Sequence, residues 1–256
     1  MATTTTTPTL ELRGLSKNFG SVQALTDVDF DVRDGEVMAL VGDNGAGKST
    51  LIKCIAGINP IDAGEIFFEG KPVSLHGPRD AAKLGIEIVY QDLALCDNLD
   101  VVQNMFLGRE VHDGVHRLRD APMEQRAAET LKSLSVTTIS SIRQPVSSLS
   151  GGQRQSIAVA RAVLWNSRVV ILDEPTAALG VAQTRQVLDL VKRLAAQGLA
   201  VVIISHNLSD VFEVANRITV LRLGRIVGVY ERAETTPQEI VGAITSGAPA
   251  KTEAGE

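Results

Sequence analysis

The sequence predicts an α/β protein: a mainly parallel sheet core, an N-terminal antiparallel β subdomain and an inserted α-helical subdomain. Three observations carry that expectation. Apolar runs of strand length recur at residues 37–41, 86–90, 169–172, 200–204 and 218–221, and helical patterns separate several of them. The runs near the N-terminus alternate instead of being continuously apolar. Between about Asp92 and Trp165 strand signals vanish.

The N-terminal runs 10–15, 28–32 and 66–68 read as antiparallel strands, broken by turns at Asp34-Gly35 and Glu69-Gly70. The later, continuously apolar runs suit strands buried on both faces, and helices between them imply right-handed parallel crossovers. One such helix is predicted over 181–196. Val187, Leu190, Val191 and Leu194 fall at three-and-four spacing on one face, and Gly198 is a plausible stop. Residues 121–134 and 152–164 also look helical and lie inside the insert, about 92–165. The body is then 10–91 together with 166–246. The threonine-rich stretch 2–9 and the small, polar stretch 247–256 read as mobile tails.

Composition sets the outer limits. With 256 residues, 44% hydrophobic and 21% charged, the chain suits a soluble globular protein and not a disordered one. A net charge of -5 offers no overall attraction to a polyanion, so nucleic acid is not the expected partner. Neither a secretion signal nor a run of about 18 apolar residues is legible, which predicts a cytosolic protein, or one docked to a membrane by a partner. Cys54 and Cys96 cannot make a disulfide framework, and Cys54 sits in an apolar run that suggests simple burial.

Gly42, Asp43, Asn44, Gly45, Ala46, Gly47, Lys48 and Ser49 match the spacing of a phosphate-binding loop. A strand precedes them and a helix from Thr50 follows, so backbone N–H groups and a helix N-terminus converge on an anion. Glycines allow close approach of the main chain, Lys48 supplies positive charge to the outer phosphates, and Ser49 offers a hydroxyl to Mg²⁺. The strand 169–172 ends in Asp173 and Glu174. Beside a phosphate loop, Asp173 becomes the expected Mg²⁺ partner and Glu174 the expected polariser of an attacking water. His206 follows another strand end, where a lone histidine is more often structural.

Those features fit a kinase, GTPase, helicase or motor equally well. Leu149, Ser150, Gly151, Gly152 and Gln153 discriminate among them: a hydroxyl and glycine N–H groups opening a helix whose positive end faces outward suit a second phosphate reader, although by itself Ser-Gly-Gly before a helix is usually only a cap. Here the chain resembles the ATP-binding cassette (ABC) ATPase family over about residues 10–242, and the resemblance implies that family's P-loop NTPase fold. It also implies ATP and Mg²⁺ as cofactors and adenine stacking by Phe19, where the family often has tyrosine. It assigns sensing of Mg²⁺ and γ-phosphate to Gln91 and a γ-phosphate contact to His206. Residues 175–180 match the loop that crosses between two subunits, except that Gly180 stands where aspartate is usual.

That loop, Gly42 to Gly45, and the run after Gln91 resemble the branch serving bacterial monosaccharide importers of the ribose, xylose and fructose type. The resemblance implies an ATPase that energises such an importer from the cytoplasmic face of the membrane. Its partners would be a second copy of itself in a head-to-tail dimer, transmembrane permease subunits and, indirectly, a periplasmic sugar-binding protein. The competing expectations are a soluble ABC ATPase in translation or DNA repair and a regulatory or kinase-like ATP binder. Neither explains the sequence as well: the first would show paired cassettes, a long insertion or a basic surface, and the second leaves the signature and His206 unexplained.

Overall fold

A computed structural model describes residues 7–114 and 117–247. Alternation in the N-terminal sequence becomes a hairpin of β1 (Leu10–Phe19) and β2 (Val22–Val32), paired antiparallel and turned at Gly20. β3 (Val37–Val41) follows, then α1 (Lys48–Ile55), β4 (Ala63–Phe68) and β5 (Lys71–Val73). β4 and β5 join through Glu69 and Gly70, both at positive φ (49° and 75°), as a two-residue hairpin turn requires. Asp34-Gly35, expected among the same antiparallel strands, instead carries the chain from β2 into β3 of a different sheet.

After α2 (Pro78–Lys83) and β6 (Ile86–Val89) come α3 (Val101–Phe106), α4 (Asp120–Ser133) and α5 (Gly151–Val163). Among the described residues this stretch holds no named strand, only isolated bridges such as Asp100 to Pro145. The sequence's one tryptophan, Trp165, lies just beyond α5. Phe106 meets it edge-on at 5.5 Å, and the guanidinium groups of Arg126 and Arg109 lie 4.7 Å and 5.3 Å from its ring centre.

The remaining elements are β7 (Val169–Asp173), α6 (Val181–Ala196), β8 (Ala200–Ile204), α7 (Leu208–Val214), β9 (Arg217–Arg222), β10 (Arg225–Glu231) and α8 (Pro237–Ser246). Two sheets result, a four-stranded β2-β1-β4-β5 and a six-stranded β10-β9-β3-β8-β7-β6. The second is parallel except for β10, which pairs antiparallel with β9 and extends beyond the expected run at 218–221.

Burial of the large sheet follows the two-residue period of its strands. From β3, Val37, Ala39 and Val41 join Val170, Leu172, Val201 and Ile203 in a core shared with α3 to α6. Met38, Leu40, Val169, Ile171, Val202 and Ile204 face the other way, into a core shared with α1 and the antiparallel sheet. Each large aliphatic chain so buried contributes roughly 1.5–3 kcal/mol. The predicted face of α6 is buried as expected, at Val187, Leu190, Val191 and Leu194, and Cys54 is 1% exposed.

Arg217, at the start of β9, ties the two sheets together. It donates to Glu36 at the head of β3 and, at 2.6 Å, to Asp31 of β2. The expected N-terminal tail ends earlier than 9: Thr9 is buried, its N–H bonded to Val32 O (2.9 Å) and its hydroxyl to Asp34 (2.6 Å). The rest of both expected tails lies outside the described residues, apart from Thr7, Pro8 and Gly247.

Candidate functional site

β3 is flanked by β8 and β9, so the loop leaving its C-terminal end is hemmed in by backbone on both sides. That confinement explains Gly42. At φ 154° a Cβ there would sit 2.1 Å from the carbonyl oxygen of Leu221 on β9. Gly47, at φ 110°, precedes the first residue of α1, and a Cβ there would come within 2.9 Å of Ala24 O. The loop closes on Ala46 N–H donating to Asp43 O (3.1 Å), and opens α1 directly at Lys48. Lys48 Nζ donates to the carbonyls of Gly42 (2.6 Å) and Asp43 (3.0 Å), which curls its side chain back over the loop. Burial holds the Lys48 ammonium below its usual pKa, against the attraction of Glu174, Asp173 and Asp43.

Facing the loop is the acidic end of β7. Asp173 pairs in register with Ile204 of β8, and burial, reinforced by neighbouring Glu174, raises its carboxyl pKa. Glu174 turns sharply out of the strand at φ 50°, its N–H held by Ile204 O at 3.0 Å. Its carboxylate accepts a hydrogen bond from His206 Nδ1 at 2.8 Å, so the ends of β7 and β8 meet through their side chains.

A cavity of about 470 Å³ lies between these elements. Asp43 to Thr50, Gln91, Asp173 and Glu174 line it, as do Val22, Gln23 and Ala24 of β2 and Leu223 and Gly224 of the β9–β10 turn. An adjoining cavity of about 460 Å³ shares Asp43, Asn44, Gln91 and Glu174 and adds Gly42 and His206. A larger cavity, about 590 Å³, lies against Trp165 and Arg168 and contains none of these groups, so chemistry and not size singles out the site.

Two sets of expected residues lie outside those linings. Phe19, at the end of β1, is 49% exposed; its cross-strand partner Val22 reaches the cavity, and Lys17 Nζ stands 5.5 Å from its ring centre. Ser150, Gly151, Gly152 and Gln153 open α5 elsewhere. Ser150 Oγ accepts from Gln153 N–H (3.3 Å) while Gln153 Oε1 accepts from Ser150 N–H (2.8 Å), a reciprocal cap. The glycines there are also matters of fit, since a Cβ on Gly151 or Gly152 would lie 3.0 Å from the side chain of Leu179 or Gln183.

The loop after Glu174 is anchored independently. Thr176 Oγ1 donates to buried Asp210 (2.6 Å), which also accepts from Asn207 Nδ2 (3.0 Å) one residue beyond His206. Sequence reasoning missed Asp210, Val22 and Leu223, although Leu223-Gly224 between two apolar runs is a legible turn signal.

The family model described as "ABC transporter" matches residues 25–177, which include the phosphate loop, the signature and the acidic strand. The chain belongs to the ABC transporter family. This ABC chain is 49% identical over 244 residues to the fructose import ATP-binding protein of Rhizobium meliloti, covering 93% of itself and 94% of that protein. It is 47% identical over 247 residues to the xylose/arabinose import ATP-binding protein of Sulfolobus acidocaldarius, at 96% and 98% coverage. Among solved structures, a nucleotide-free ATP-binding cassette from an ABC transporter superposes with a TM-score of 0.80 at 24% identity, covering 93% of this chain and 95% of that one, which establishes the ABC fold.

Proposed function

We propose that this ABC protein is the ATP-hydrolysing subunit of an importer for a monosaccharide, working as a head-to-tail pair of identical chains. The observation that carries the reading is the cavity in which Lys48, Ser49, Gln91, Asp173 and Glu174 converge, while Ser150 to Gln153 lie outside it. A helix N-terminus with exposed Ser150 and Gly151 suits phosphate, and a two-fold axis would bring it to the loop of a second copy. Relatives that this chain matches over nearly their whole length carry names of fructose and xylose/arabinose import, which supports the cargo class.

In this reading the loop from Gly42 to Ser49 grips the phosphates, with Thr50 continuing the helix whose N-terminus faces them. Lys48 balances the outer charge. The Glu174 carboxylate accepts a proton from the attacking water, and His206, bonded to Glu174, sits where the terminal phosphate is reached. Phe19 would cover adenine from the hairpin next to Val22. A serine hydroxyl, an amide oxygen and a carboxylate at Ser49, Gln91 and Asp173 are hard oxygen donors and fit Mg²⁺, which neutralises phosphate charge when bound. ATP binding closes the pair and hydrolysis reopens it. Gln91, leaving the sheet toward the helical insert, passes that movement to transmembrane permease subunits.

No helix of the described residues is long and apolar enough to cross a membrane. In the proposed reading the chain attaches through permease subunits at the cytoplasmic face, as the import names of its relatives support. A periplasmic sugar-binding protein would deliver the cargo from the other side. Mixing Ser150→Arg with Lys48→Ala chains tests the shared site: one intact composite site forms per mixed pair, so ATPase activity appears that neither variant has alone. Hydrolysis at full rate by an isolated monomer would refute pairing. Loss of growth on a monosaccharide after deletion of the gene tests the cargo.

A further inference from the structure

The turn joining β9 to β10 places Leu223 at φ 47° and Gly224 at φ 77°, two successive left-handed residues of the kind favoured by Asn-Gly. Glycine at 224 is dictated by packing, because a Cβ would lie 2.7 Å from Ala24 O. Leucine at 223 is not. Among the described residues eight non-glycine positions have positive φ, and Leu223 is the one carrying a branched aliphatic chain, with 73% of its surface exposed. Both its conformation and its exposure are unfavourable for leucine in an isolated chain.

Its surroundings suggest what offsets that. Gly224 N–H donates to Ala46 O of the phosphate loop (2.8 Å), and Thr26 N–H of β2 donates to Gly224 O (2.8 Å). The turn is therefore pinned by backbone bonds to the loop and to the β2 edge of the cavity, and Leu223 is held at a set position in the cavity lining. Val22, 63% exposed, supplies a second apolar chain to the same lining, whereas Phe19 supplies none.

We propose that Leu223, with Val22, forms the apolar seat for the nucleoside half of the bound nucleoside triphosphate. This rests on the reading that its phosphates lie at Lys48. The seat would desolvate ribose and base edges on binding, so the strained leucine is a nucleotide-affinity residue that the unliganded fold tolerates.

The test uses the full chain and compares the parent with Leu223→Asn and Leu223→Gly, both suited to the turn. Calorimetric titration is made with ATP and, separately, with inorganic tripolyphosphate. In both variants the ATP Kd is expected to rise about three- to tenfold, the scale of losing part of one buried leucine contact. The tripolyphosphate Kd should stay at the parental value, and the ligand-free Leu223→Asn chain should melt at a higher temperature than the parent. An unchanged ATP Kd overturns the proposal, and so does a parallel loss of tripolyphosphate affinity, which would mean that the turn acts by shaping the loop. If Lys48→Ala binds ATP as tightly as the parent, the phosphate assignment itself falls, an outcome distinct from either.

Discussion

Glu174 Oε2 and His206 Nδ1 lie 2.8 Å apart, joining the ends of two adjacent parallel strands across the mouth of the phosphate-loop cavity. The carboxylate is the better buried partner, 15% exposed in its side chain against 74% for the imidazole. In the proposed reaction, a water approaching the terminal phosphate meets the carboxylate, which the histidine holds in place.

Glu174→Gln preserves shape and one acceptor while removing the proposed base. ATP binding, measured by titration, should stay near the parental affinity, and phosphate release should fall on the order of 10²–10⁴-fold, the usual worth of a positioned base. Hydrolysis at the parental rate would exclude Glu174 from the chemistry.

Asp173 gives a pH dependence of definite sign. Its carboxyl pKa is raised above the ordinary 3.8 by burial and by Glu174, so the charged form is disfavoured in the folded chain. Stability from this group is complete below 3.8 and is lost as pH rises through the raised value. Asp173→Asn carries no such loss. In thermal melts without divalent cation, the variant should therefore exceed the parent at pH 7, and the difference should shrink as pH falls toward 3.8, while Mg²⁺-dependent ATPase activity disappears.

Arg217 serves stability and not chemistry. It is 6% exposed and bridges Glu36, 8% exposed, to Asp31. Arg217→Met would leave a buried carboxylate unpaired and should cost about 3–5 kcal/mol in urea unfolding. Adding Glu36→Met should recover much of that, because the loss comes from the orphaned charge and not from a missing attraction.

Gly180 caps α6 at φ -73° and ψ 162°, backbone that any residue adopts, with nothing within 4 Å of where a Cβ would stand. Aspartate fits there and caps better than glycine by a few tenths of a kcal/mol. Gly180→Asp should raise the melting temperature by about 1 °C. An accompanying change in how ATPase rate depends on protein concentration would locate the added carboxylate at the interface between copies.

What was legible in advance was local. The stretch from β3 through Gly42, Gly45, Gly47 and Lys48 into α1 announces a phosphate loop because strand period, glycine torsions and helix start all fall within a short span of chain. The acidic end of β7 and the buried face of α6 were readable for the same reason. β10 was missed: Arg225–Glu231 mixes charged and apolar residues, and its pairing with β9 depends on the Leu223-Gly224 turn.

The sequence by itself determined the buried strands of the core, the phosphate-loop pattern around Lys48 and the family. Tertiary structure decided which strands flank β3, and with that everything that meets the loop from afar: Leu221 O against Gly42, Gly224 bonded to Ala46, Asp173 and Glu174 in the cavity, and His206 on Glu174. Periodicity fixes which face a strand buries, but any strand order would satisfy it equally. Only packing both faces of the large sheet, against the helices on one side and α1 with the antiparallel sheet on the other, selects the order that assembles the site.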